Sequence, residues 1–208
     1  MIPDILAAGP VMPVIIIEHA DDAVPLAEAL LAGGIRTAEI TLRTPSALAA
    51  IEQIASSCPD MLVGAGTITS AEQAQQVKDA GGVFGVSPGS TEALIDGCNK
   101  SGLPMLYGAQ TLSEMMALAE KGYHQMKFFP ASAAGGIDFL KSVHSPMPHL
   151  RFCPTGGINQ QNAAEWLSLP HIVCVGGSWL APADLIASHA FAEITKRAQA
   201  ASNLRRSD

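Results

Sequence analysis

The sequence predicts an α/β fold: a (β/α)8 TIM barrel with a short N-terminal helix, forming one domain over residues 1–208. Three observations lead there. Short apolar runs recur at roughly even intervals along the chain. Segments of helical character lie between them and stop at glycine. No GxGxxG fingerprint follows the first run, which weighs against the runner-up, an open doubly wound sheet.

The runs, in order, are VMPVIII (11–17), TAEITL (37–42), MLVGAG (61–66), VFGVS (83–87), PMLYG (104–108), QMKFF (125–129), RFCP (151–154) and IVCVGG (172–177). They are continuous rather than alternating, as expected of parallel strands buried on both faces. After the first run, residues 21–31 open with Asp21 and Asp22, which suit a helix N-terminus, and stop at Gly33-Gly34. Residues 46–57 follow a proline. Residues 70–80 start at Ser70 and stop at Gly81-Gly82. Residues 91–101 start at Thr91-Glu92 and stop at Gly102, and 113–121 start at Ser113-Glu114 and stop at Gly122. Helix, glycine, then strand is the pattern of a left-handed cap that turns the chain back. The last stretch, AASNLRRSD (200–208), reads as a frayed helix end.

The chain is 48% hydrophobic and only 15% charged, so it can bury a large core. Its net charge of −7, without a basic stripe, argues against nucleic acid. The six histidines show no HxH or HExxH spacing, so neither a metal site nor a cofactor is expected. Cys58, Cys98, Cys153 and Cys174 form no CxxC pair and read as reduced core residues. The N-terminus lacks the basic and apolar regions of a signal peptide, and no stretch is apolar enough to span a membrane. A cytoplasmic protein is the expectation.

In such a barrel the chemistry gathers at the carboxyl ends of the strands. In AEITLRT, residues Glu39, Thr41 and Arg43 share a parity, so an extended chain points them to one side. A buried carboxyl such as Glu39 can shuttle protons near neutral pH. The plainer reading is a structural ion pair with Lys127 or Arg43. In GAGT, Gly64 and Gly66 let the backbone approach a ligand and Thr67 offers a hydroxyl; a tight turn explains them equally well. VSPGST is a plain loop shaped by Pro88, with a helix cap at Ser90 or Thr91. Of the six lysines, Lys78, Lys100, Lys121, Lys141 and Lys196 fall on helix faces or ends, and Lys127 alone sits mid-strand, in HQMKFFPAS. Burial disfavours an ammonium ion and leaves a nucleophilic amine, which can attack a ketone to form a Schiff base. A buried salt-bridge lysine is the bland alternative. The last two runs end in PTGGI (154–158) and VGGSW (175–179). Barrels often bind phosphate at this position through bare backbone N–H groups, and Thr155 and Ser178 would add hydroxyls. Ordinary turns are the competing reading.

Taken in order, EITLRT, GAGT, SPG, KFFPA, RFCPTGGI and GGSWL resemble the bacterial 2-keto-3-deoxy-6-phosphogluconate (KDPG) aldolases, which also act as 4-hydroxy-2-oxoglutarate aldolases. The resemblance runs from about residue 10 to 184. It implies a metal-free, homotrimeric class I aldolase that cleaves KDPG to pyruvate and glyceraldehyde 3-phosphate. Carried over by position, Lys127 is the Schiff-base lysine and Glu39 the general acid/base. Arg43 and Thr67 serve the pyruvate end, and Pro88 and Phe129 line the pocket. Thr155, Gly156, Gly157 and Ser178 hold the hydroxyls and phosphate. Two departures stand out. Tyr107-Gly108 replaces the family's frequent Pro-Gly, which would put a polar-tipped ring at the pocket mouth. The segment before Val11 is short, so the cover over the barrel bottom is expected to be reduced. Two rivals predict no imine on Lys127: a barrel isomerase or decarboxylase with Glu39 as base, and a non-catalytic phosphosugar-binding module.

Overall fold

The computed structural model describes residues 2–204. Helix α1 (Ile2–Ala7) leads into β1 (Val11–Ile15), and a 3-10 turn (Ala20–Asp22) opens α2 (Ala23–Ala32). Then follow β2 (Thr37–Thr41), α3 (Ala47–Ser57), β3 (Leu62–Gly66), α4 (Ala71–Asp79), β4 (Phe84–Val86) and α5 (Glu92–Ser101). The fifth apolar run splits into β5 (Met105–Leu106) and β6 (Gly108–Ala109). The chain continues through α6 (Leu112–Glu120), β7 (Gln125–Phe128), α7 (Gly136–His144) and β8 (Arg151–Pro154). It closes with α8 (Ala163–Leu167), β9 (Val175–Gly177), α9 (Ala183–Ala187) and α10 (Phe191–Ser202). Each of the eight predicted runs contains strand. Of the AASNLRRSD stretch, α10 takes in the first three residues, and positions 205–208 lie outside the described residues.

The helix boundaries follow from local chemistry. Ser70 and Gln73 form a capping box at the start of α4, as do Thr111 and Glu114 at α6, and Thr91 caps α5 by accepting from the Leu94 N–H. The return to the sheet is made by Gly34, Gly81, Gly102 and Gly122, all left-handed with φ of 83°, 85°, 69° and 88°.

Every strand pair is parallel. One sheet runs β5-β4-β3-β2-β1-β9 and the other β6-β7-β8. The fold is α/β, with a parallel sheet that curls as a half-barrel and does not form one unbroken eight-strand ladder. The break falls at Tyr107, where the chain crosses from the first sheet to the second while its carbonyl accepts the Lys127 N–H at 2.9 Å. On the opposite flank, β8 meets the β9 segment through two single bridges, Phe152 with Ile172 and Thr155 with Gly176.

Strand parity separates two cores. Met12, Phe84, Val86, Leu106, Cys153 and Cys174 point inward and cluster with Ile5 and Leu6 of α1. Their chain neighbours Val11, Tyr107, Phe152 and Val175 join the larger layer between sheet and helices. The short N-terminal segment covers the interior with two apolar side chains of α1, Ile5 and Leu6. One expectation is corrected here. Tyr107 is not at the pocket mouth: it is fully buried on the outer face, edge-on to Tyr123 at 4.9 Å. All four cysteines are buried, and no disulfide joins them. Among the described residues, no helix is long and apolar enough to cross a membrane.

Candidate active site

Lys127 lies on β7, in register with Gly108 of β6 and Cys153 of β8. Glu39 lies on β2, in register with Val14 and Gly64. The two strands are not neighbours, so the side chains meet across the interior. Lys127 Nζ donates to Glu39 Oε1 at 3.3 Å, and the two side chains are only 7% and 2% exposed. Stripping both charges of water costs several kcal/mol per ion, and their mutual attraction offsets that cost only while both are present. Gly66 makes room for the pair, since a Cβ there would collide with Glu39 Oε1.

Lys127 Nζ also faces the Phe129 ring, 5.1 Å from its centroid. Phe129 lines a cavity of about 320 Å³ at the carboxyl ends of the strands. Arg43, Thr155, Gly156, Gly157, Gly177 and Ser178 line it too. Lys127 and Glu39 are not themselves on its wall; Lys127 sits against it through Phe129, and Glu39 is held by Lys127. Arg43 has no ion-pair partner among the described residues. Its loop is tied down by hydroxyls: Thr41 Oγ1 donates to the Ile15 carbonyl at 2.9 Å and Ser46 Oγ to that of Glu18 at 2.7 Å. Thr155 Oγ1 is buried and has no hydrogen-bond partner among the described residues, an arrangement that costs free energy unless a ligand completes it. Gly156 and Gly157 adopt φ of 103° and 77°, which leaves their backbone bare toward the cavity.

The structure therefore brings Lys127, Glu39, Arg43, Phe129, Thr155, Gly156, Gly157 and Ser178 together. It does not place Thr67 or Pro88 on the cavity wall. Thr67 follows β3, half-buried, with φ of 64°, a strained value for a β-branched residue. Pro88 instead lines a separate shallow depression with Ile68, Thr69, Ser90, Thr91 and Leu94. Val14, Ile16 and Pro182 line the main cavity and escaped the sequence reading. The parity of the first run, with Met12, Val14 and Ile16 inward, is the signal that points to the first two. Tyr107 contributes no proton chemistry, as burial first, and then Cys98 and Tyr123 beside it, push its phenol well above the ordinary range.

An amine hydrogen-bonded to a carboxylate, a guanidinium without a counter-ion and a rim of bare backbone suit a ketone that is anionic at both ends. Residues 2–197 match the family described as "Aldolase: KDPG and KHG aldolase". The chain belongs to that family. This aldolase is 48% identical over 198 residues to the 2-dehydro-3-deoxy-phosphogluconate aldolase of Pseudoalteromonas atlantica, covering 95% of this chain and 92% of that one. Among solved structures, it resembles the KDPG aldolase of Legionella pneumophila with pyruvate captured as a covalent carbinolamine. That likeness has a TM-score of 0.93 and 47% identity, and covers 96% and 97% of the two chains. The Zymomonas mobilis ZM4 enzyme with 3-phosphoglycerate gives a TM-score of 0.92 at 42% identity, over 99% and 97%.

Proposed function

We propose that this aldolase cleaves KDPG to pyruvate and glyceraldehyde 3-phosphate through a Schiff base on Lys127, and 4-hydroxy-2-oxoglutarate to pyruvate and glyoxylate by the same route. The observation that carries the reading is the buried Lys127–Glu39 pair, 3.3 Å apart, held against a cavity with an unpaired arginine at its wall.

That geometry supports the following steps. Glu39 takes a proton from Lys127 across their hydrogen bond, and Nζ adds to the C2 ketone. Glu39 returns the proton to the carbinolamine oxygen as water leaves, directly or through one water, giving the iminium. Glu39 then removes the C4 hydroxyl proton. The C3–C4 bond breaks, its electrons flow into the iminium, and the aldehyde departs. The enamine is protonated at C3, and water releases pyruvate and the free amine. The imine nitrogen is the electron sink, so the reaction calls for no metal or cofactor. Arg43 neutralises the substrate carboxylate; Thr67 and Pro88, which lie off the cavity wall, have no part in these steps. Thr155, Gly156, Gly157 and Ser178 receive the distal hydroxyls and phosphate.

The reading extends to the whole chain as one domain, a closed (β/α)8 barrel. In its support, β5 and β6 are two halves of one run, and the Thr155–Gly176 bridge joins the remaining flank. A cytoplasmic homotrimer completes the picture. The exposed Leu112 and Met116, one turn apart on α6, supply apolar surface for an interface. Native mass spectrometry reads the subunit count.

The decisive experiment is reduction with borohydride in the presence of pyruvate. Activity is lost, and the reduced adduct maps to the peptide holding Lys127. If Lys127→Ala still traps pyruvate, or turns over normally, the assignment is wrong. Activity that survives borohydride points instead to an isomerase or decarboxylase with Glu39 as base.

A further inference from the structure

One contact behind the cavity bears on how the phosphate end is held. Strand β9 ends at Gly177, and α9 begins at Ala183. Ser178 between them faces the main cavity. Trp179 faces the other way, into a polar groove that it shares with Asn159, Gln161, Glu193 and Arg197. The segment is thus a single layer of chain with the cavity in front and α10 behind. Among the described residues, one hydrogen bond reaches the main chain of residues 178–181. It runs from Arg197 Nη1 to the Trp179 carbonyl, at 3.0 Å. Arg197 is itself aimed by Glu193, one turn earlier on α10, whose Oε1 accepts from Nε at 3.1 Å. The Trp179 ring in turn covers Gly177, where any Cβ would collide with it. The guanidinium, the Trp179 peptide and the indole therefore fix the 177–179 turn from outside the site.

We propose that Arg197 is a positioning residue that sets affinity for the phosphate end of the substrate without touching it. The inference rests on the reading of Ser178 and its neighbouring glycines as the phosphate subsite. It predicts a selective effect. KDPG carries its phosphate at the far end and needs the turn held in place. 4-Hydroxy-2-oxoglutarate has one carbon fewer and no phosphate, so it stops short of that position and does not.

The test compares the two substrates in Arg197→Lys and Glu193→Gln. Lysine keeps the charge and loses the fork that serves two acceptors at once. In Arg197→Lys, KM for KDPG rises about tenfold, the worth of roughly one charge-assisted hydrogen bond, with kcat little changed. Competitive inhibition by inorganic phosphate weakens by the same factor, and KM for 4-hydroxy-2-oxoglutarate stays where it was. Glu193→Gln shows the same split to a smaller degree, and carries the test if the arginine variant folds poorly. If both KM values rise together, or neither moves, Arg197 merely anchors α10 and the inference is overturned. If the unaltered enzyme is not competitively inhibited by phosphate, the phosphate reading itself fails and takes the inference with it. Inhibition that is present but unchanged in the variants overturns the inference alone.

Discussion

Thr155 carries a hydroxyl that the fold does not satisfy. The residue is 6% exposed, its Oγ1 has no partner, and it lies on the cavity wall. A buried unpaired hydroxyl costs about 1–3 kcal/mol, and a site built to hold a polar ligand accepts that cost. Thr155→Val keeps the branching and removes the oxygen. The melting temperature is expected to stay level or rise, while KM for KDPG increases about tenfold, the scale of one lost hydrogen bond. A fall in melting temperature with an unchanged KM would show that the hydroxyl has a partner within the protein and would sink the idea. Single residues were legible where their setting was anomalous. Lys127 in an apolar strand and Glu39 in another were both conspicuous, and the structure pairs them. Tyr107 was misread because its place near a strand end suggested the mouth. Period-two parity sends it outward once Leu106 points in, and one residue of parity decides which layer a ring enters.

Elements place these residues by leaving space as well as by supplying side chains. Strand β3 ends in Gly66 because the Glu39 carboxylate from β2 occupies the volume that any side chain there would need. Gly66→Ala therefore pushes Oε1 away from Nζ. A displacement of that order at reacting groups costs about a hundredfold in kcat, and the loss should appear in a slower approach to the borohydride-trapped adduct as well. Unfolding monitored by circular dichroism separates this from a global defect: a large loss of kcat with a native-like transition is the expected result. If kcat is unchanged, the carboxylate has room to move and its position is not fixed by β3. The same scale shows what sequence reading can reach. Helices α4 and α5 announced themselves through cap residues and a closing glycine; α6 did so through its glycine, but its cap is Thr111, two residues ahead of the Ser113 at which the sequence reading began it. Helix α7 starts from Gly135 in a left-handed conformation with no side-chain cap, and α8 and α9 are five residues each. Those helices exist because the curled sheet has an outer face to cover, and neither propensity nor capping in their own sequence declares them.

At the scale of the molecule, the joint between β8 and the β9 segment has its own titratable group. The His171 carbonyl accepts the Phe152 N–H at 2.8 Å, which ties the two segments together. Its ring is 1% exposed, stacks on His144 at 4.5 Å, and has no hydrogen-bond partner of ordinary geometry on either nitrogen. Burial first, then the neighbouring His144 and Arg151, press its pKa down to about 4, against a weaker pull upward from the Leu140 carbonyl. The native ring thus stays neutral down to about pH 4. In the unfolded chain the same imidazole binds a proton at about 6.5. Between those values the unfolded state holds one more proton than the native state. Stability is then full above pH 6.5 and falls as pH drops toward 4, by on the order of 2–3 kcal/mol from this group. Glu114 does not share that window. Its burial acts upward but is outweighed by the backbone N–H groups of Gln110 and Thr111, so its pKa lies below the usual carboxylate value and its contribution is lost only in stronger acid. Urea unfolding at pH 7 and pH 5 measures the slope. His171→Leu should flatten it while leaving stability at pH 7 near the parent value, because the buried neutral imidazole it replaces makes no hydrogen bond of ordinary geometry. A slope that persists in His171→Leu would assign the acid sensitivity to another group and leave the joint between β8 and β9 indifferent to pH.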